Sequence, residues 1–167
     1  VDMQCKVLIL DEPTSSLDVS IRAEIIDLLL HLQKNMDVSY LFISHDLSTI
    51  QYICHRVAVM YLGSIVEYGT VEHLFKNYSH PYSKALLASV MVPDPDIKRS
   101  NYTLTGEIPS AINLAKGCAL ASRCKEAEPR CFESNPQMVE IEKGHFVKCF
   151  PLHYNWLKDQ DFLYLAS

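Results

Sequence analysis

Lys6-Val-Leu-Ile-Leu-Asp-Glu-Pro-Thr-Ser-Ser-Leu-Asp18 joins a short continuous apolar run to two adjacent carboxylates, a turn and a second acid. A run of this length and make-up is that of a buried parallel strand. Ligands sit at the carboxyl ends of strands in open parallel sheets, so Asp11 and Glu12 fall where chemistry is done. An acid there can hold Mg²⁺ through water, because the ion is hard and keeps much of its hydration shell. A second acid beside it can orient and deprotonate an attacking water. Taken alone, the pair also fits solvated carboxylates after any strand.

Downstream, Pro13 to Ser16 reads as a turn and Asp18 as a helix cap. Ile25, Leu28, Leu29 and Leu32 recur at helical spacing, with Arg22, Asp27 and Lys34 as polar positions. Ser39 to Ser44 is a second short run of β-formers, ending in His45-Asp46, and Leu47 to Cys54 reads as a shorter helix. Arg56 to Tyr61 and Ser64 to Tyr68, split by Leu62-Gly63, read as a β-hairpin. Thr70 precedes a short helical stretch, and His80 to Met91 forms another with Pro81 near its start.

This order resembles the later part of an ABC-type ATPase domain: Walker B strand, D-loop, helix, then switch histidine. The resemblance rests on Leu8-Ile-Leu-Asp-Glu-Pro-Thr-Ser-Ser-Leu-Asp-Val-Ser20 followed by Phe42-Ile-Ser-His-Asp-Leu47, and on Met60 to Gly69. It implies an α/β fold, a partial P-loop-type core of parallel strands and helices, then a β-hairpin. It also implies roles. Asp11 would help position Mg²⁺ through water and Glu12 would be the general base. Ser16, Leu17 and Asp18 would form the D-loop, which faces a second ATPase subunit across bound ATP. His45 would sense the γ-phosphate. Taken alone, His45 would be a loop histidine beside a helix start.

The pattern Gly-x-x-x-x-Gly-Lys-Ser/Thr, whose amides and Lys cradle phosphates, does not occur among the five glycines. The family's Gly-Gly signature and Gln-containing loop do not occur either. These residues are therefore not expected to hydrolyse ATP by themselves. A Walker B strand without its usual neighbours would leave apolar faces open, so residues 1–60 are expected to fold poorly in isolation.

Composition changes at Val92, and Pro93-Asp-Pro-Asp96 is a breaker cluster. The expected organisation is 1–92 as the ATPase part, 93–105 as linker, 106–153 as a small Cys-rich module and 154–167 as tail. His80-Pro-Tyr-Ser-Lys-Ala-Leu-Leu-Ala-Ser89, Gly106-Glu-Ile-Pro-Ser110 and Gly117-Cys-Ala-Leu-Ala-Ser-Arg-Cys124 resemble the C-terminal extension of oligopeptide/dipeptide importer ATPases. Ala119-Leu-Ala-Ser122 stands where that pattern has a Phe and a Pro before Arg-Cys.

Cys118, Cys124, Cys131 and Cys149 have the spacing C-x5-C-x6-C-x17-C. Structural zinc usually includes a C-x2-C-type pair, which this spacing lacks. Four thiolates also suit an iron–sulfur centre. The resemblance implies a 4Fe-4S cluster in some members; zinc and plain thiols stay open. His145 reads as an exposed strand histidine, with a stand-in ligand as the alternative. Cys5 and Cys54 read as buried small hydrophobes. The aromatic tail (Tyr154, Trp156, Phe162, Tyr164) reads as a packing strip, with a contact surface as the alternative.

Charge is 15 basic against 20 acidic residues, −5 with neutral His, which gives no nucleic-acid footprint. Values of 49% hydrophobic and 21% charged exclude a disordered or fibrous chain. No apolar run approaches the roughly 18 residues of a spanning helix, and no signal peptide is evident. The family resemblance then implies a cytoplasmic subunit, peripheral at the inner face of the membrane, that drives membrane-spanning permeases and meets peptide only through them. Nickel is the alternative cargo. The alternative from another class is a non-enzymatic metal-binding or docking module in which the four cysteines are the working part.

Overall fold

The computed structural model describes residues 6–89, 102–110, 112 and 116–150. Two compact units divide between His55 and Arg56. Cys5 and the aromatic tail lie outside the described residues.

The first unit is a β-α-β-α run: β1 (Val7–Asp11), α1 (Val19–Met36), β2 (Ser39–Ile43) and α2 (Leu47–Ile53). β1 and β2 pair in parallel, with Asp11 opposite Ile43, and the Glu12 amide extends the ladder to the Ile43 carbonyl at 2.9 Å. Parallel pairing needs a crossover, which α1 supplies. Asp18 caps α1 by accepting from the Ile21 amide at 3.0 Å, and Asp37 ends it in the left-handed region at φ 52°. The Tyr40 hydroxyl donates to the Leu29 carbonyl at 2.9 Å and ties β2 to the helix.

Alternation then sorts the side chains. Tyr40 and Phe42 are half-buried, whereas Val7, Ile9, Leu41 and Ile43 are exposed. These four share one face of the pair, because residues two apart point the same way. In α1 the inward stripe differs from the expected one. Ile26 is the buried residue and Leu29 and Leu32 are half-buried, while Leu28 is half exposed. At about 100° per residue, Leu29 lies about 60° from Ile26 around the helix, whereas Leu28 lies about 160° from it.

The second unit is a four-stranded antiparallel sheet with helices. Its elements are β3 (Arg56–Tyr61), β4 (Ser64–Thr70), α3 (Val71–Lys76), α4 (Pro81–Ala88), α5 (Pro129–Glu133), β5 (Val139–Glu142) and β6 (His145–Val147). The strand order is β3-β4-β6-β5. Leu62 and Gly63 turn the hairpin with φ of 45° and 76°, the two positive values that a two-residue turn of this kind demands. Gly63 takes this conformation freely, whereas Leu62 does so at a cost.

The pairing crosses the boundaries expected from composition. β6, from the expected 106–153 module, pairs with β4, from the expected 1–92 part, through Glu67 opposite Val147 and Tyr68 opposite Phe146. Tyr61, Val66 and Leu120 form the core, with Tyr82, Leu104, Cys118 and Cys124 packed against it. The Tyr61 and Tyr82 rings lie 4.7 Å apart, within the range of a favourable tilted pair. Sheet and core are thus built jointly by the hairpin and the residues after 102.

Candidate functional site

Parallel pairing brings the carboxyl ends of β1 and β2 to the same edge, and the loops there carry Glu12 and His45. Glu12 has φ 46°, a strained value for a residue with a Cβ. Its Oε1 accepts from the His45 amide at 3.1 Å and lies 2.7 Å from His45 Nδ1. A carboxylate can only accept, so Nδ1–H of His45 donates and the tautomer is set. The His45 side chain is 80% exposed and that of Glu12 35%, so the pair opens to solvent and any reactant can reach it.

Asp11, the last residue of β1, is exposed beside Glu12. The turn that follows is closed by Ser15, whose amide and hydroxyl both donate to the Glu12 carbonyl, and by the Leu17 amide donating to the Thr14 carbonyl. Thr14 is buried; Ser16 and Asp18 are exposed. Asp18 is engaged in capping α1, which leaves Ser16 as the outward residue of this loop.

Behind His45 stands Asp46, which the sequence reading did not single out. Its Oδ1 accepts from the Ser48 and Thr49 amides at 3.1 and 3.4 Å, capping α2, and its Oδ2 accepts from the Thr49 hydroxyl at 2.9 Å. Arg22 Nη1 donates to the same Oδ2 at 2.7 Å. Burial pushes the Asp46 carboxyl up, but the Thr49, Arg22 and Ser48 hydrogen bonds outweigh it and hold the pKa below the usual carboxylate value. An acid directly before an apolar helical stretch is a cap signal, and the sequence carried it.

A second polar centre lies in the other unit. Glu67 on β4 is fully buried. Its Oε1 accepts from the Ser79 amide at 2.8 Å and pairs with His145 Nε2 at 2.7 Å, and its Oε2 accepts from the His80 amide at 2.9 Å. Burial raises its pKa, but the His145, Ser79 and His80 hydrogen bonds prevail and the carboxyl is held below its ordinary value. His145 stacks on His73 with centroids 4.8 Å apart. The expectation of an exposed strand histidine is therefore corrected: His145 is 1% exposed, because β6 is an interior strand and its imidazole serves a buried carboxylate. His80 caps α4 by accepting from the Tyr82 amide at Nδ1, and burial lowers its pKa to about 4. A lone Glu inside Ile65-Val66-Glu67-Tyr68 was the available signal for this centre.

The four later cysteines line one cavity together with His80, Pro81, Leu120 and Glu126. Its free volume is about 10 Å³, room for about one water molecule. Among the described residues, no three or more His, Cys, Asp or Glu side chains are arranged to hold a metal ion. Burial pushes the Cys118 and Cys124 thiols above their ordinary pKa, which favours the protonated form over a thiolate ligand. The donor chemistry thus suits a soft metal, whereas the arrangement is that of packed thiols. Cys54 is half-buried, and burial likewise raises its pKa.

Strand-end carboxylates, a paired histidine and a polar loop between them thus lie together at one edge of the first, α/β unit. Comparison with known proteins gives the chain its family. Residues 66–131 match the model of the oligopeptide/dipeptide transporter C-terminal region. The chain is 47% identical over 144 residues to the putative oligopeptide transport ATP-binding protein YkfD of Bacillus subtilis, covering 85% of this chain and 44% of that one. It is 46% identical over 144 residues to the dipeptide transport ATP-binding protein DppF of Haemophilus influenzae, covering 86% and 44%. It is 45% identical over 149 residues to the oligopeptide transport ATP-binding protein OppF of Salmonella typhimurium, covering 88% and 44%. The chain belongs to the family of oligopeptide/dipeptide transport ATP-binding proteins, and it spans less than half the length of these relatives. No helix among the described residues is long and apolar enough to cross a membrane.

Proposed function

We propose that these residues form the hydrolytic half-site of an ATPase subunit that powers peptide import. The observation that carries this reading is the 2.7 Å pair between Glu12 and His45 at the ends of two parallel strands. Both bonds from His45 fall on Glu12 Oε1, so Oε2 is the oxygen that takes a proton from the attacking water. With Nδ1–H committed to Glu12, His45 Nε2 is the ring nitrogen left to face the γ-phosphate. Asp11 would hold Mg²⁺ through water, and the bound ion would supply charge neutralisation on the phosphates. The Gly-rich phosphate cradle is not among residues 1–167, so ATP binding needs a cradle supplied from outside them. Ser16, Leu17 and Asp18 face a second ATPase subunit, and the assembled pair drives permease subunits at the cytoplasmic face of the membrane.

Steady-state phosphate release from the full-length polypeptide, assembled with its permeases, tests this. Glu12→Gln is expected to lower turnover by at least roughly 100-fold with ATP still bound, since general base catalysis is worth about that much. Turnover within a few-fold of the parent would remove Glu12 from the base role.

A second reading concerns the four cysteines, which support a soft-metal or iron–sulfur staple by lining one cavity. Binding would require the thiols to ionise and the cavity to widen from its present volume. Iron and acid-labile sulfide in anaerobically purified protein would support it; neither iron, sulfide nor zinc would leave a cluster of packed thiols.

A further inference from the structure

Arg22 lies in the first turn of α1, and its amide donates to the Asp18 carbonyl at 2.9 Å. Its guanidinium reaches two loops at once. Nη1 donates to Asp46 Oδ2 at 2.7 Å, and Nη2 donates to the Leu17 carbonyl at 3.3 Å. Leu17 is the middle residue of the Ser16–Asp18 loop, and Asp46 directly follows His45. One rigid fork therefore ties the loop after Glu12 to the loop that carries His45.

Neither loop needs Arg22 for its own closure. The Ser16–Asp18 loop is closed by backbone bonds and by the Asp18 cap. Asp46 is already engaged by Ser48 and Thr49, and its amide donates to the Ser44 hydroxyl at 3.0 Å. A partly exposed ion pair of this kind contributes little to stability. Arg22 also leaves its Nε buried without a partner, a cost that bridging two loops explains better than fold stability does. Lys could supply the charge at Asp46 but not the second, planar arm to Leu17.

We propose that Arg22 is a positioning residue. It holds the Ser16–Asp18 loop and the His45 loop in one register, so that engagement of the former by a second subunit is felt at the Glu12–His45 pair. The inference rests on the ATPase reading above and adds a coupling element to it.

The test uses the full-length polypeptide assembled with its permeases and measures kcat and KM for ATP. Arg22→Met is expected to lower kcat roughly 10- to 100-fold while KM stays within about threefold, the pattern of lost alignment and not lost binding. Arg22→Lys is expected to fall between Arg22→Met and the parent. Asp46→Asn keeps a capping side chain, so it reports even where Arg22→Met folds poorly. It should lower kcat in the same direction, and the Arg22→Met/Asp46→Asn double variant should lose no more than the worse single one. Additive losses, an unchanged kcat in Arg22→Met, or a rise in KM alone would overturn the proposal. Glu12→Gln in the same assay separates the two claims. If it keeps turnover, the ATPase reading falls; if it loses turnover while Arg22→Met does not, only the coupling role falls.

Discussion

Glu67 shows what a single carboxylate demands once it is fully buried. It accepts from two amides and one imidazole, so it needs acceptor oxygens and has no use for a donor. Glu67→Gln keeps the volume but turns an NH₂ group toward N–H donors. It is expected to cost about 3 kcal/mol, the scale of breaking a buried hydrogen-bonded pair, measured as a loss in the unfolding free energy of the full-length polypeptide. Glu67→Ala should cost no less, and a near-neutral Glu67→Gln would mean that the carboxylate is not needed in its ionised form. Gly117 makes a second demand. Its φ is 100°, and a Cβ there would stand 2.4 Å from the Cys131 carbonyl oxygen. That oxygen also accepts from the Cys118 amide at 2.7 Å. Gly117→Ala is therefore expected to destabilise by roughly 2–4 kcal/mol, which thermal or denaturant unfolding would detect.

The elements show how far local signals reach. Helix starts were readable because a cap is a local device: Asp18, Thr70 and His80 each accept from an amide two or three residues on. Asp18→Ala is expected to cost about 1 kcal/mol and to increase hydrogen exchange in the first turn of α1. The hairpin was readable because Leu62-Gly63 splits two apolar runs by two residues. The pairing of β6 with β4 was not, since nothing near residue 67 says which distant strand will lie beside it. The same limit hid the partners of Glu67 and the exposure of His145. The site was legible in its residue types, through the strand-end acids and the histidine. It was not legible in its supports, because Arg22 reaches Asp46 across 24 residues. The phase of α1 was misread at Leu28 for a related reason: a stripe of four leucine-like residues does not say which part of it meets a neighbour.

For the whole molecule, buried titratable groups set the response to acid. His80 has an ordinary value of 6.5 lowered to about 4 by burial, with Glu67, Glu126 and Lys84 as the charged groups around it. A depressed folded pKa means that the unfolded chain takes the proton first. The contribution of His80 is thus complete above pH 6.5, declines as pH falls, and is gone near pH 4. Glu67, also depressed, adds a further loss below its ordinary value of 4.5. Melting temperature of the full-length polypeptide is expected to fall over this range, and His80→Asn, which can still cap α4, should flatten the upper part. A melting temperature constant from pH 7 to 4 would contradict this account. Removing residues 102–167 would strip Leu120, His145 and Val147 from the sheet and core, so the shortened polypeptide is expected to aggregate or melt much lower. Soluble, equally stable shortened protein would show that the hairpin needs no such cover.

The distance in sequence between Glu67 and His145, 78 residues, also has a meaning during synthesis. At about 5–20 residues per second, a ribosome needs roughly 4–16 s to add the second after the first. Through that interval the nascent hairpin has an open edge at β4 and a carboxylate still in water. The β3–β4 hairpin therefore reaches its final form only after residues 145–147 have been added.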